Sequence, residues 1–286
     1  MKIGFIGAGN MGGALAKGAA ASLSAGPSSN VVDGIIVYDA DTDKVKTFSA
    51  IPSVQGASDL SDLYAKSDVL VLCVKPQIMD TVLDEIAGFA PDAGGKLVVS
   101  IAAGVSIAYL CSKLGPSAKV VRVMPNLPAM LGEGMSALSA DGTELSADER
   151  QTVETLFSSV GKVVWVSEDL MDVVTGISGS SPAYAYMYIE GLISAGVAGG
   201  LTREAATILA AQSTLGAAKM VLENMGTPDA SGDLLGGVDP IQLRINVCSP
   251  GGTTIEAVKV LEETGFVSIV EKAAEASAAK SKIMTK

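Results

Sequence analysis

Residues 2–12 read KIGFIGAGNMG, and the fold turns on them. Lys2–Gly7 is an apolar run of strand length led by a lysine. Gly7, Gly9 and Gly12 form G-x-G-x-x-G, and the small residues GALAKGAAAS that follow read as a helix. A glycine cluster directly after a strand and at the start of a helix is the fingerprint of a dinucleotide site. Gly7 lets the chain turn, Gly9 lets a pyrophosphate approach the backbone, and Gly12 lets the helix pack close to the sheet, with the phosphates at the helix N-terminus. Asn10 and Met11 lie in the same turn and are expected to touch the cofactor, NAD or NADP.

Outward from that turn the chain alternates strand and helix. GIIVYD (34–39) reads as a strand ending in an acid, with Asp41 or Thr42 placed to cap the next helix after it. A loop, GPSSN (26–30), leads into that strand. Further strands are expected at IPSVQGA (51–57), DVLVLCVKP (68–76), KLVVSIAAG (96–104) and AKVVRVMPN (118–126), with helices between them. The near-continuous apolar runs suit a parallel sheet buried on both faces. GEGMSALSA (132–140) reads as one more strand and KVVWVSE (162–168) as a short edge strand. Beyond Asp169 strand signals vanish into long helical stretches, with Thr202 as an N-cap. The expectation is an α/β Rossmann-type parallel-sheet domain over residues 1–165 and an all-helical domain over residues 166–286.

Composition narrows the chemistry. The 286 residues are 48% hydrophobic but only 4% aromatic, and mean hydropathy is +0.41. Much of the core is therefore aliphatic and alanine-rich, and an apolar surface is left for a subunit interface. The formal charge of −11 is spread out, with no basic stripe to track a nucleic-acid backbone. The absence of histidine removes Ser-His-Asp and Cys-His catalysis and imidazole acid–base chemistry. Cys73, Cys111 and Cys248 form no close pair, so neither a disulfide framework nor a thiolate metal cluster is expected. Met1–Gly7 already reads as fold rather than leader, and the apolar helical runs are broken by Gly, Ser or charge. A cytoplasmic enzyme with no membrane span is the expectation.

Candidate site residues follow from position. Asp39 ends the second strand, where a carboxylate accepts from the adenosine ribose hydroxyls and repels a 2′-phosphate; this favours NAD slightly, although Lys44 and Lys46 lie just beyond. Val74, Lys75 and Pro76 close a parallel strand at the carboxyl end, where the ligand crevice lies, so that Lys75 reads either as a cofactor or substrate contact or as a surface lysine of the loop, and Asn126 follows another strand. Far downstream, SPGGTT (Ser249–Thr254) is a glycine turn opening a helix, an arrangement that suits a carboxylate and equally suits an ordinary N-cap. SGSSPAYAY (178–186) interrupts a helical stretch, either as a kink or as a pocket wall.

Taken in order, GFIGAGNMGGALA, VKP, RVMPNLPA, VTGISGSSPAYAY and VCSPGGTTIEAVKVLE make the chain resemble the pyrroline-5-carboxylate reductase family along essentially its whole length. SPGGTT with its following helix is the most selective of these motifs. The family usually carries a glycine where Ser181 stands, a threonine where Leu127 stands and a lysine where Arg244 stands, and an asparagine that often contacts the nucleotide is not evident in GASDLSDLY (56–64). The resemblance implies a helical dimerisation domain, an intertwined homodimer often assembled into a decamer, and a substrate pocket where the dimer helices meet the nicotinamide. It implies reduction of Δ1-pyrroline-5-carboxylate to L-proline by hydride transfer from NADH or NADPH, the last step of proline biosynthesis. Thr254 would be the catalytic hydroxyl at the ring nitrogen, with Ser249, Gly251, Gly252 and Thr253 holding the substrate carboxylate. The alternatives are a 3-hydroxy acid dehydrogenase, which would leave SPGGTT unexplained, a reductase of another cyclic imine, and a non-catalytic nucleotide sensor.

Overall fold

The computed structural model describes residues 1–24, 32–90, 95–115, 117–229 and 234–286; the expected GPSSN loop lies outside them. An eight-stranded sheet runs in the order β3-β2-β1-β4-β5-β6-β7-β8. Its strands are β1 (Lys2–Ile6), β2 (Gly34–Tyr38), β3 (Val54–Gly56), β4 (Val69–Leu72), β5 (Leu97–Ser100), β6 (Lys119–Met124), β7 (Gly134–Ser139) and β8 (Gly161–Trp165). All pairings are parallel except β6 with β7, which is antiparallel. The sheet is thus parallel through its first six strands, with an added two-stranded edge. Strand order reverses at β1, whose neighbours are β2 and β4, and that reversal creates the crevice in which α/β sheets bind ligands.

The central strands are buried on both faces. β4 and β5 present no residue to solvent, because helices cover each side. On one side α1 (Asn10–Ser24) and α6 (Ala147–Ser158) lay Leu15, Ala19, Val153 and Phe157 over Phe5, Val71 and Val99. On the other, α3 (Leu60–Lys66), α4 (Met79–Phe89) and α5 (Ile107–Leu114) bury Leu63, Leu83, Ile86 and Leu110 against Ile6, Leu70 and Val98. Local chemistry sets the helix starts. Asp41 caps α2 (Thr42–Lys46) by accepting the Asp43 amide. Ser146 and Glu149 form a reciprocal capping box on α6.

Beyond the sheet the described residues are mostly helical: α7 (Met171–Val174), α8 (Ser181–Ala198), α9 (Arg203–Asn224), α10 (Pro240–Val247), α11 (Thr253–Glu263) and α12 (Phe266–Met284). Thr202 caps α9 as its sequence position suggests. A two-residue antiparallel ribbon, Thr227–Pro228 with Leu234–Leu235, has no clear signal in the sequence. The interruption expected in SGSSPAYAY takes the form of one π-helical turn, Thr175–Gly179, closed by the Ser180 amide on the Thr175 carbonyl at 2.9 Å.

Packing divides the chain into two compact units, Met1–Pro182 with Ala274–Lys286, and Ala183–Ala273. The boundaries fall inside α8 and α12, not at 165/166 where the sheet ends. The cause is side-chain packing after the last strand: Met171 and Val174 bury against Ala137, and Gly176 sits against the Ala274 backbone. Ser281 on α12 donates to Asp172 at 2.6 Å. Within the second unit α8 and α9 carry large apolar side chains into solvent, among them Met187, Leu192, Ile208, Leu209 and Met220. Arg203–Asn224 is long and apolar enough, by length and composition, to cross a membrane.

Arg122 on β6 is 6% exposed and pairs with Glu168 at 3.1 Å; the same Glu168 oxygen accepts the Ile107 amide at 2.8 Å. Removing one partner of a buried ion pair leaves the other charge uncompensated. Glu168→Ala is therefore expected to cost about 3 kcal/mol of stability, read as a lower midpoint in urea; an unchanged midpoint would contradict the pairing.

Candidate functional site

Two groups of residues carry the functional signal, one in each compact unit. The first gathers at the carboxyl ends of β1, β2 and β4. Gly7 adopts φ +104°, a left-handed conformation open to glycine, and its amide donates to the Tyr38 carbonyl at 2.8 Å. A β-carbon on Gly7 would stand 3.0 Å from the Cys73 main chain and 3.2 Å from the Val74 side chain. The ends of β1 and β4 thus meet at the turn, which brings Val74 beside it. At Gly12 a β-carbon would overlap the Gly7 carbonyl oxygen and crowd the Cys73 side chain. Gly9 differs: nothing lies within 4 Å of the space its β-carbon would fill. That open space beside exposed backbone is what close approach of a pyrophosphate requires. The first turn of α1 holds no acidic side chain to oppose an anion. The residues present therefore fit a dinucleotide.

Asp39 is the electrostatic centre of this group. One oxygen accepts the Ala8 amide of the glycine turn at 2.7 Å. The other accepts the Asp41 amide at 2.9 Å and faces the Lys44 ammonium at 3.4 Å. Burial works against the ionised carboxylate, but the two amides and Lys44 outweigh it and hold the carboxyl below its ordinary range. Asp39 thus braces the glycine turn from the end of β2. Beside it a cleft of about 320 Å³ is lined by Gly9, Asn10, Gly13, Lys17, Lys44 and Met130. Lys17 and Met130 had no motif to mark them in the sequence; helical spacing from Asn10 brings Lys17 into line, and only the tertiary fold brings Met130.

The remaining positions in this unit are less alike. Pro76 opens a short 3₁₀ turn after Lys75, whose side chain is exposed. Asn126 follows β6, but both ends of its amide are engaged within the protein: its oxygen accepts the Met135 amide at 2.8 Å, and its nitrogen donates to the Ser178 carbonyl at 3.2 Å. Asn126 thus ties the π-helical turn to the end of β6.

The second group is Ser249–Thr254, in the unit Ala183–Ala273. Gly251 adopts φ +68°, and Gly252 is the N-cap of α11 with its amide on the Ser249 carbonyl at 3.0 Å. A β-carbon on Gly252 would overlap the Ser249 hydroxyl. No side chain caps α11, so its first-turn amides keep their free donors. The Thr253 and Thr254 hydroxyls make no hydrogen bond to any described residue. Thr254 is half-buried, whereas Ser249, Gly251 and Thr253 are exposed. An uncapped helix start flanked by free hydroxyls can take a carboxylate and still offer one hydroxyl to a neighbouring atom. Arg244 lies behind this turn and pairs with Glu262 at 3.4 Å.

Each of the two groups falls within a stretch matched by a family model. A family model described as pyrroline-5-carboxylate reductase dimerisation matches residues 168–284, and one described as NADP oxidoreductase coenzyme F420-dependent matches residues 2–104. The chain is 39% identical over 285 residues to a pyrroline-5-carboxylate reductase of Escherichia coli, covering 100% of this chain and 98% of that one. It is 42% identical over 284 residues to pyrroline-5-carboxylate reductase 2 of Homo sapiens, covering 97% of this chain and 82% of the relative. Among solved structures, a pyrroline-5-carboxylate reductase from Coxiella burnetii superposes with a TM-score of 0.86 at 34% identity, over 99% of this chain and 98% of that one. A Plasmodium falciparum pyrroline carboxylate reductase with NADP bound gives 0.80 at 32%, over 100% and 98%.

The depressed carboxyl of Asp39 has a pH signature. A group whose folded value lies below its unfolded value adds stability above the unfolded value, about 3.8 here, and loses it as pH falls through the folded one. Asp39→Asn is expected to be less stable than the parent by about 1–2 kcal/mol at pH 7, with the difference shrinking below pH 3.8. Urea unfolding at pH 7 and pH 3 measures this; an equal difference at both would place the stabilisation elsewhere.

Proposed function

The chain belongs to the pyrroline-5-carboxylate reductase family, and from that membership we propose how its own residues divide the work. The reaction is reduction of Δ1-pyrroline-5-carboxylate to L-proline with a reduced nicotinamide nucleotide, a step of proline biosynthesis. The observation that carries the division is the pair of uncapped glycine turns, one suited to a pyrophosphate and one to a carboxylate.

When bound, the reduced nicotinamide supplies a hydride. Gly7, Gly9, Asn10, Met11 and Gly12 receive the pyrophosphate, with Val74, Lys75 and Pro76 along the crevice. Asn126 acts from behind, through the Ser178 carbonyl it holds. Ser249, Gly251, Gly252 and Thr253 bind the imine's carboxylate through α11 amides and hydroxyls. The Thr254 hydroxyl hydrogen-bonds the ring nitrogen and orients the iminium, so that the imine carbon, which becomes C5 of proline, accepts the hydride and the nitrogen becomes the secondary amine of proline. A protonated imine is already electrophilic, and holding donor and acceptor in line supplies much of the rate. This division accounts for an enzyme of this class without histidine.

For coenzyme choice we favour NADH. The ionised Asp39 keeps one acceptor direction free on the oxygen that takes the Ala8 amide, enough for a ribose hydroxyl, and its charge opposes a 2′-phosphate. The apolar faces of α8 and α9, including the apolar length of Arg203–Asn224, are assigned to a second copy of the chain in a homodimer, itself a building block for a decamer. Such a protein works in the cytoplasm.

Initial rates with the imine and NADH or NADPH, with proline identified as product, test the assignment. NADH is expected to give the higher kcat/KM; NADPH winning would overturn the Asp39 argument and leave the reaction intact. Thr254→Ala is expected to lower kcat by one to two orders of magnitude, about 1.4–3 kcal/mol of barrier. Unchanged turnover would remove Thr254 from its role.

A further inference from the structure

The loop Ile101–Ser106 leaves the carboxyl end of β5, two strands from the glycine turn in the sheet. With strands about 4.8 Å apart, that places it roughly 10 Å across the crevice from β1. The glycine turn takes the pyrophosphate and β2 the adenosine side, so the ends of β4, β5 and β6 face the nicotinamide half. The loop reads IAAGVS, and Gly104 turns it at φ +71°. Ala102 and Val105 anchor it in the core beneath.

Its upper side is held by residues some 180 positions away. The Lys286 amide donates to the Gly104 carbonyl at 2.9 Å. The Lys286 main-chain oxygen accepts the Ser106 hydroxyl at 2.6 Å, with the Ser106 amide at 3.4 Å. Met284 covers Gly104 so closely that a β-carbon there would stand 2.9 Å from the Met284 carbonyl oxygen. The Lys286 ammonium pairs with Asp80 at 3.0 Å and lies 5.6 Å over the Tyr109 ring, and the Tyr109 hydroxyl donates to the same Asp80. Behind this contact, the Thr285 hydroxyl reaches Asp172 at 3.5 Å, beside the Ser281 bond to the same carboxylate. Main-chain bonds and a steric fit converge on one short loop, while the ion pair ties the Lys286 side chain to α4.

We propose that Met284–Lys286 is a positioning strap: it fixes the Ile101–Ser106 loop that supports the nicotinamide half of the coenzyme, and so sets affinity for that half alone. The proposal rests on the reading of the chain as a nicotinamide-dependent reductase. Without the strap the Gly104 carbonyl loses its donor and the Ser106 hydroxyl its acceptor, while the two ends of the loop stay held, by the Ile101 amide on the Leu72 carbonyl and by the Ser106 cap on α5, leaving Gly104 between them with the core anchors Ala102 and Val105 beneath. The glycine turn and Asp39 are braced separately, by β2 and β4, so the adenosine and pyrophosphate subsites are untouched.

The test compares the full chain with a variant ending at Met284. Each is titrated by calorimetry with NADH and with ADP-ribose, which lacks the nicotinamide, and each is melted without ligand. The shortened protein is expected to bind ADP-ribose as the full chain does and NADH about five- to tenfold more weakly, the scale of one lost net hydrogen bond. Lys286→Ala, which keeps the main-chain bonds, is expected to bind both as the parent does. If the shortened chain fails to fold, Lys286→Pro, which removes the N–H donated to Gly104, is expected to produce the same selective loss. Parallel weakening of NADH and ADP-ribose, or no change in either, would overturn the strap. A full chain that binds ADP-ribose but not NADH would overturn the functional reading with it.

Discussion

Gly7 holds its turn at φ +104° with the main chain of Cys73 3.0 Å from where a β-carbon would be, and most of the nucleotide unit is arranged around that contact. It requires β1 and β4 to be neighbours, which is the strand reversal that opens the crevice. It requires Gly12, because a side chain there would strike the Gly7 carbonyl. It ties the turn to the neighbouring strand, the Gly7 amide on the Tyr38 carbonyl and the Ala8 amide on Asp39. Each of these is a steric or electrostatic necessity of bringing a backbone close to a phosphate.

The same logic recurs in the other unit with different parts. Ser249–Thr254 makes a turn through Gly251 at φ +68° and starts α11 without a side-chain cap. An uncapped helix start is costly for a fold to retain unless something else satisfies its donors. In the proposed assignment that something is a substrate carboxylate, and the neighbouring Thr254 hydroxyl, without a hydrogen bond to any described residue, is reserved for the ring nitrogen. The chemistry asked of the protein is modest, since the electrophile is a protonated imine and the reductant is carried by the coenzyme.

Most of the sheet was legible because a parallel strand buried on both faces leaves an unmistakable apolar run: DVLVLCV and KLVVS became β4 and β5 with no exposed residue. The helix caps at Asp41 and Thr202 were legible because a short polar side chain before a periodic run has few other uses. The division into compact units was not, because it depends on Met171 and Val174 burying against Ala137 and on Ser281 reaching Asp172 across more than a hundred residues. At the site, the glycines were legible as motifs, but the dual use of Asp39 was not: only the fold reveals that its carboxylate also braces the Ala8 amide. Asn126 is the reverse case. Its place after a strand suggested ligand contact, and its amide is spent on Met135 and Ser178 instead.

The central claim is direct hydride transfer to the imine carbon, with Thr254 aligning the acceptor. Reduction of Δ1-pyrroline-5-carboxylate with coenzyme deuterated at C4 of the nicotinamide, followed by mass spectrometry and NMR of the product, tests it most directly. The account predicts L-proline carrying one deuterium at C5, delivered from a single face of the nicotinamide. Proline without deuterium, or no proline from protein that binds the coenzyme, would contradict it.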